Sequence, residues 1–310
     1  MAQPKSGTLV VNGGNGFIGS RVVEHFLQAG WRVHVGTRSG QWAPPALIRS
    51  ACGQNPQGMA LHNPNPTNVV PFQWDFPKVG EFPAFGPEDP FPRIVLHLAY
   101  ETTTQHLKGG SGAYSGLRPA GLEGTLAFRQ LAHEAGADHQ IFLSSCSAHG
   151  EAESQYGRTK YALEKLFTTS RDWIVRPALV LGQGGVFARM VKTARSSPIL
   201  PLFDNGAQPV QVVPVDYLVE QLLAGAQEGR TGRDTFAAPG ILSMSEFFKL
   251  LAPGKPLLPI PSAVVLPFVQ LVESVGLTLP INSENLLGLR SLRMQSPLHP
   301  STKTLPVAGE

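Results

Sequence analysis

The feature that most constrains the fold is a glycine-spaced turn within Val11 to Arg38, VNGGNGFIGSRVVEHFLQAGWRVHVGTR. An apolar strand-like run precedes Gly13, Gly16 and Gly19, and apolar residues at helical spacing follow them. A strand that turns through glycines into a helix can bind a diphosphate, because free N–H groups and the positive end of the helix dipole lie together there. The segment therefore predicts a dinucleotide-binding turn. An ordinary glycine-rich connection is the alternative.

Strand-like and helix-like segments alternate along much of the chain. Strand patterns occur at 8–13, 31–37, 69–76, 93–100, 140–147, 172–182 and 233–239, and helical patterns at 17–29, 119–135 and 156–167. This alternation predicts an α/β fold, a Rossmann-type doubly wound parallel sheet with a smaller C-terminal substrate lobe. We expect the dinucleotide-binding domain at 1–182, with 209–240 partly rejoining it, and the lobe at 183–208 and 241–310.

The end of the second strand bears on the choice of dinucleotide. A site for NAD usually has an acidic residue there, which binds the ribose hydroxyls. This chain has Gly36 and Thr37, followed by Arg38. A guanidinium group without a carboxylate suits a 2′-phosphate, so the sequence favours NADP over NAD. The alternative is that Arg38 is a solvated surface residue.

A second signal is the pair Tyr156 and Lys160 on a predicted helix, where positions i and i+4 share one face. A nearby cation favours the phenolate form of a tyrosine and lowers its pKa, which makes it a better proton carrier. Ser144 and Ser145 end the preceding strand, at the edge where open α/β sheets bind ligands. We therefore expect Tyr156, Lys160 and one of these serines to be catalytic.

The chain resembles the extended short-chain dehydrogenase/reductase family, which includes NAD-dependent epimerases and dehydratases. GGNGFIG at 13–19 is similar to its GxxGxxG loop, His97-Leu98-Ala99 to its HLA motif and Gly124-Thr125 to a later GT pair. FLSS at 142–145 and YGRTK at 156–160 carry its catalytic triad. Asp75-Phe76, Arg176-Pro177 and Val215-Asp216 are similar to further family motifs.

The resemblance implies an NAD(P)-dependent oxidoreductase that moves hydride between the nicotinamide C4 and an alcohol or carbonyl carbon of a small molecule. Tyr156 would act as the acid and base, Ser145 would orient the substrate oxygen, and Lys160 would tune Tyr156 and hold the ribose. The implied cofactor-binding residues are Gly13, Asn15, Gly16, Phe17, Ile18, Gly19, Arg38, Asp75, Phe76, Leu98, Ala99, Tyr156, Lys160 and Pro177. The resemblance also allows a homodimer, because dimers are common in the family.

Some positions depart from the family pattern. The loop between Ser145 and Tyr156 is short, His149-Gly150 stands where YG is common, and Gly121 replaces an asparagine. A sugar-nucleotide substrate is therefore less expected. An NADPH-dependent carbonyl reductase of a less polar substrate is one alternative. A non-catalytic NAD(P)-binding regulatory or assembly protein is another.

Composition excludes several classes of function. The net charge is only +3 and basic residues do not cluster, so no nucleic-acid partner is expected. Two cysteines, neither at metal-ligand spacing, indicate no metal site and favour a cytoplasmic location. The apolar stretch 257–280 contains Glu273 and several prolines, so we expect a buried or lid-forming helix or a peripheral membrane contact, without an integral membrane segment.

Overall fold

The computed structural model describes residues 6–42, 68–75, 82–99, 119–274 and 283–292. Its strands are β1 (Thr8–Asn12), β2 (Arg32–Thr37), β3 (Val69–Gln73), β4 (Arg93–His97), β5 (His139–Leu143), β6 (Asp172–Pro177), β7 (Leu179–Leu181), β8 (Leu200–Phe203), β9 (Pro209–Val210), β10 (Val212–Pro214), β11 (Gly232–Phe236), β12 (Leu242–Ser243) and β13 (Leu257–Ile260). Its α-helices are α1 (Phe17–Gln28), α2 (Pro119–Glu134), α3 (Gln155–Glu164), α4 (Gly185–Ser196), α5 (Val215–Glu228), α6 (Met244–Leu251), α7 (Ser262–Ser274) and α8 (Ser283–Leu292).

The main sheet contains seven parallel strands in the order β11-β6-β5-β4-β1-β2-β3. The predicted doubly wound parallel sheet is therefore confirmed. Chain order reverses between β1 and β4, where open α/β sheets form a crevice beyond the carboxyl ends of their strands. Asn12 pairs in register with Gly36 on one side and His97 on the other. The segments that follow these strands thus leave the sheet at one edge.

Helices cover both faces of this sheet, because strand side chains alternate between two apolar layers. On one face, α1 packs on β1 and β2, and α5 packs against α1, in a core that includes the fully buried residues Val22, Phe26, Leu218, Leu222, Val11 and Val33. On the other face, Phe128 of α2 packs on Val10, Val95 and Trp74. Leu163 of α3 packs there on Phe142 and Ile174. Burial of each such side chain contributes roughly 1.5–3 kcal/mol.

The segment 172–182, predicted as one strand, is divided between two sheets. β6 belongs to the main sheet, whereas β7 pairs with β10 in a separate two-stranded sheet. The N–H of Ala178 donates to Phe236 O, and the N–H of Leu179 donates to Gln211 O. The chain therefore changes partners between Ala178 and Leu179.

The C-terminal part of the chain contains small sheets and helices. β8 pairs with β13 in parallel, and β9 pairs with β12 in antiparallel orientation. The Asp204 carboxylate accepts hydrogen bonds from the N–H and Oγ of Ser262, each at 2.7 Å, and so fixes the start of α7. Val264, Phe268 and Leu271 of α7 are exposed. Within the described ranges, no helix is both long and apolar enough to cross a membrane.

Candidate active site

The glycine turn joins β1 to α1 with little space for side chains. Gly13 has φ +74°, which favours glycine, and a Cβ there would lie 3.2 Å from Ala99 N. A Cβ on Gly19 would lie 2.2 Å from Gly13 O. Gly14, which sequence reasoning did not single out, is also constrained, because its Cβ would lie 2.1 Å from Val35 Cγ1, although this neighbour is a side-chain methyl group. These glycines thus allow the backbone to fold tightly between β1 and α1.

The amino end of α1 is available to an anion. Its N-cap, Gly16, supplies no side-chain hydrogen bond, and the first turn contains no acidic residue. By contrast, the start of α6 is closed by its own capping box between Ser243 and Glu246. The first N–H groups of α1 carry the positive end of its dipole without an opposing carboxylate. This arrangement fits a diphosphate group.

The other predicted residues of the turn shape it through packing. The Asn15 side chain donates to Gln41 O at 3.0 Å, which ties the turn to the segment after β2. The Phe17 ring lies against the glycines that follow β7, since a Cβ on Gly184 would come within 2.5 Å of it. Ile18 packs against the core on the α1 face. These contacts hold the turn in one shape.

Arg38 projects from the end of β2, with 80% of its side chain exposed. Its Nε lies 3.8 Å from Oδ1 of Asp75, which is itself 58% exposed. A pair so exposed is worth little energetically, so the guanidinium can exchange this contact for a phosphate. Phe76, the other half of the predicted Asp75-Phe76 pair, lies outside the described residues.

Asn12, the buried last residue of β1, is a site residue that sequence reasoning missed. Its Oδ1 accepts hydrogen bonds from the N–H groups of both Leu98 and Ala99, each at 2.7 Å. This one amide oxygen fixes the segment after β4 against the glycine turn and so defines the floor of the crevice. The sequence shows only a polar residue that ends an apolar run.

The predicted catalytic residues lie at the carboxyl end of β5. Lys160 is buried, and its Nζ donates at 2.8 Å to the backbone oxygen of Leu143, the last residue of this strand. Ser145 lies two residues after Leu143, and its Oγ accepts a hydrogen bond from Ser147 N at 3.1 Å. Tyr156 lies one turn before Lys160 on α3 and is 38% exposed. The hydrogen bond of Lys160 therefore joins α3 to the carboxyl end of β5, close to these residues.

Burial controls the charge of Lys160. Desolvation lowers the pKa of its ammonium group from 10.5 to about 7, although the nearby Glu164 carboxylate opposes this effect. The ammonium also lies over the Phe142 ring, 4.8 Å from its centroid. Lys160 is therefore poised to gain or lose its proton near neutral pH.

Glu164 is a second residue that sequence reasoning missed. It lies one turn after Lys160 on α3, is buried, and accepts hydrogen bonds from Ser144 Oγ at 2.5 Å and Arg176 Nε at 2.7 Å. Arg176 also donates through Nη2, at 2.5 Å. Glu164 lies four residues after Lys160, a spacing that puts it on the same helical face, and this spacing is the sequence signal that could have identified it.

Pro177 follows Arg176 at the end of β6. Its carbonyl accepts the N–H of Cys146 at 3.0 Å, which joins the chain after β6 to the chain after β5. Burial raises the pKa of the Cys146 thiol to about 12, so this cysteine is a poor nucleophile. Burial also lowers the pKa of His97 to about 3, and its Nε2 contacts Gln140 Oε1 at 2.9 Å, so it is a neutral structural residue. The described ranges contain no cluster of potential metal ligands.

Together these groups suit proton transfer to a ligand at the carboxyl end of β5. The exposed Tyr156 can exchange a proton with a ligand, the buried amine of Lys160 has its pKa lowered to about 7, and the Ser145 hydroxyl can donate to an oxygen.

Comparison with known proteins gives a family and a set of similar structures. Residues 9–236 match the model of the NAD dependent epimerase/dehydratase family. A search of curated proteins gives no match. A nucleoside-diphosphate-sugar epimerase from Staphylococcus aureus has 14% identity and a TM-score of 0.61, covering 94% of this chain and 92% of its own.

Two further structures are similar over most of their length. The UDP-glucose 4-epimerase of Thermotoga maritima, solved with UDP-glucose, has 19% identity and a TM-score of 0.52, with 91% of this chain and 96% of that chain covered. The dTDP-glucose 4,6-dehydratase of Bacillus anthracis, solved with NAD, has 11% identity and a TM-score of 0.56, with 93% and 97% covered. At these identities the similarity shows a shared fold.

Proposed function

The chain belongs to the NAD dependent epimerase/dehydratase family, and on that premise we propose that it is an NAD(P)-dependent oxidoreductase with Tyr156 as its acid and base. Its substrate is a small molecule with an alcohol or carbonyl carbon. Nicotinamide supplies or accepts the hydride at C4 when it is bound. The protein's own residues would bind, orient and exchange the proton.

The observation that carries this proposal is the hydrogen bond from Lys160 Nζ to Leu143 O at 2.8 Å. It attaches the helix of Tyr156 to the strand that ends just before Ser145. Tyr156 would exchange the hydroxyl proton of the substrate, and Ser145 would donate a hydrogen bond to the same oxygen. In its protonated state, Lys160 would favour the phenolate of Tyr156 and hold the ribose.

The cofactor would bind along the carboxyl edge of the sheet. Gly13, Gly16 and Gly19 with the amino end of α1 would hold the diphosphate, and Leu98 and Ala99 would lie beneath the nicotinamide half. Pro177 would approach the carboxamide. Asp75 and Phe76 would contact the adenine.

The exposed guanidinium of Arg38 supports NADP as the preferred dinucleotide. This preference favours a second candidate within the same chemistry, an NADPH-dependent carbonyl reductase that releases oxidised cofactor in each turnover. We propose that the substrate is bound by a lobe of residues 183–208 and 241–310, beside a dinucleotide-binding domain of residues 1–182 joined by 209–240. The apolar character of the sequence at 257–280 supports a less polar substrate.

The test begins with mass spectrometry of nucleotides released from the purified, denatured protein. Retained NAD supports internal redox chemistry, as in an epimerase or dehydratase. Protein that is empty but binds NADPH supports the reductase, and a panel of aldehydes and ketones is then assayed for NADPH oxidation. Protein that binds neither nucleotide contradicts the proposal.

Two tyrosine variants then separate an enzyme from a non-catalytic binder. We expect Tyr156→Phe to lose at least about a hundredfold in kcat with unchanged affinity for the nucleotide. Tyr161→Phe is the matched control, because Tyr161 lies on the same helix but its ring contacts Lys165. Equal activity of wild type and Tyr156→Phe contradicts the assignment of Tyr156.

A further inference from the structure

The last described helix, α8, lies against the start of α3. Oε2 of Glu284 accepts a hydrogen bond at 2.7 Å from the N–H of Gln155, the first residue of α3. Arg290 Nε donates to Glu153 Oε2 at 2.5 Å, just before the same helix. A side chain from distant sequence thus satisfies one of the N–H groups that a helix start leaves open.

Other hydrogen bonds at this helix start are local. The N-cap, Ser154, accepts the N–H of Gly157 through Oγ at 3.1 Å and the N–H of Arg158 through its carbonyl at 3.1 Å. Tyr156 lies between these anchored positions, in the first turn. The N-cap of its helix and the carboxylate of Glu284 therefore both help to place it.

α8 is also firmly joined to the C-terminal part of the chain. Ser283 donates to the Glu273 carboxylate from its N–H at 2.9 Å and from its Oγ at 2.6 Å, which joins α8 to the end of α7. Leu286 is buried against Phe203 and Val269. A displacement of this part of the chain would consequently move Glu284 relative to α3.

We propose that Glu284 is a positioning residue for Tyr156: it holds the first turn of the catalytic helix and couples it to the C-terminal helices. This inference rests on the proposed function of Tyr156. Glu284 need not contact substrate, since it acts through the backbone of Gln155. Substrate binding to the lobe would thereby act on the tyrosine that exchanges the proton.

Substitutions of Gln155 allow the hydrogen bond itself to be tested. Proline is tolerated at the first position of a helix, and Ser154 before it has φ −73° and ψ 144°, which suits a following proline. Gln155→Pro thus removes the N–H that Glu284 accepts. Gln155→Ala is the matched control, because it removes the same side chain and keeps the N–H. Glu284→Ala and Glu284→Gln are then made in both backgrounds.

The readout is the ionisation of Tyr156 with saturating NADP⁺, taken as the phenolate absorbance of each protein minus that of its Tyr156→Phe counterpart. In the Gln155→Ala background, we expect Glu284→Ala to shift the midpoint by at least about half a pH unit, a threefold change in the ionisation constant. In the Gln155→Pro background, the shift should be at most half as large. The midpoint of the Glu284→Gln variant should remain nearer to that of the protein with Glu284 unchanged, because the amide oxygen of glutamine still accepts the N–H.

Equal shifts in the two backgrounds, or no shift in either, would overturn the inference. Turnover distinguishes this failure from that of the proposed function. If Tyr156→Phe keeps full activity, the proposed function fails. If Tyr156→Phe is inactive while the Glu284 variants show no coupling to Gln155, only the positioning role fails. Where activity is measured, Glu284→Ala should lower kcat and leave the KM for NADPH unchanged.

Discussion

Glu164 binds the guanidinium of Arg176 through both carboxylate oxygens, at 2.7 and 2.5 Å, and accepts the Ser144 hydroxyl as well. A helix and two strands of the main sheet are joined by this one side chain. We expect Glu164→Ala to lower the free energy of unfolding by about 2–4 kcal/mol, because it leaves Arg176 largely buried without its partner. Chemical denaturation measures the loss.

The control for this variant is Glu228→Gln. Glu228 pairs with Arg230 at 2.6 Å, but its side chain is 55% exposed. Its loss should change stability by less than about 1 kcal/mol. Similar effects of the two substitutions would show that the Glu164 contacts contribute no more than a surface pair.

The glycine turn gives a prediction about which substitutions can be rescued. A Cβ at Gly19 would meet the backbone oxygen of Gly13, whereas a Cβ at Gly14 would meet only a methyl group of Val35. We expect Gly19→Ala to destabilise by about 2–3 kcal/mol or more and to abolish nucleotide binding. Gly14→Ala should also destabilise, but Val35→Ala should recover part of that loss.

Thermal unfolding of the three single variants, Gly14→Ala, Gly19→Ala and Val35→Ala, and of the two double variants that combine each glycine substitution with Val35→Ala checks this prediction. Val35→Ala is itself destabilising, so rescue is read as non-additivity in the double variant. If Val35→Ala restores Gly19→Ala to the same extent as Gly14→Ala, the backbone contact does not govern Gly19.

The lowered pKa of Lys160 predicts how stability depends on pH. Between about pH 7 and pH 10.5, the Lys160 amine keeps its proton in the unfolded chain but has lost it in the folded chain. The stability of the wild type therefore rises with pH across this range. Lys160→Met removes that dependence. It should stabilise the fold by roughly 2–4 kcal/mol at pH 7 or below, and this gain should shrink toward pH 10.5.

Urea denaturation of wild type and Lys160→Met across this pH range measures the effect. Lys165→Met is the control, since Lys165 is the exposed C-cap residue of the same helix and its substitution should show little pH-dependent difference. A gain that is constant with pH would show that Lys160 is not desolvated in the folded state.

Arg38 governs the predicted choice of dinucleotide. We expect Arg38→Ser to weaken NADPH binding by about tenfold or more, because the bidentate partner of the 2′-phosphate is lost. NADH binding should stay unchanged. Arg171→Ser, at an exposed arginine preceding β6, serves as the control in the same titrations. Equal losses for the two cofactors would contradict a specific role for Arg38.

The sequence allowed the main sheet to be predicted because its strands are short apolar runs with strong periodicity. β1, β2 and β5 coincide with such runs, and their parallel orientation is expected from the helices between the strands. The break at Ala178 could not be predicted, because β6 and β7 form one continuous apolar pattern. Only the hydrogen bonds to Phe236 and Gln211 divide them.

For the site, the spacing of residues close in sequence allowed predictions, whereas contacts between residues far apart in sequence could not be predicted. Tyr156 and Lys160 are four residues apart, so one helical turn places them on one face. Glu284, in contrast, contacts a residue 129 positions away, and nothing in its local sequence indicates this. Glu164 and Asn12 likewise depend on contacts that only the folded chain creates, so their polar side chains looked unremarkable.

The presence of asparagine rather than aspartate at position 12 has an electrostatic consequence. An aspartate would be almost the same size and could accept the same two hydrogen bonds from Leu98 and Ala99. It would, however, place a formal negative charge in a dry site at the end of β1, close to the turn whose helix dipole attracts anions. A neutral amide fixes the same backbone without repelling an incoming phosphate. At this position the fold needs an acceptor, and the electrostatics of the crevice require that it be uncharged.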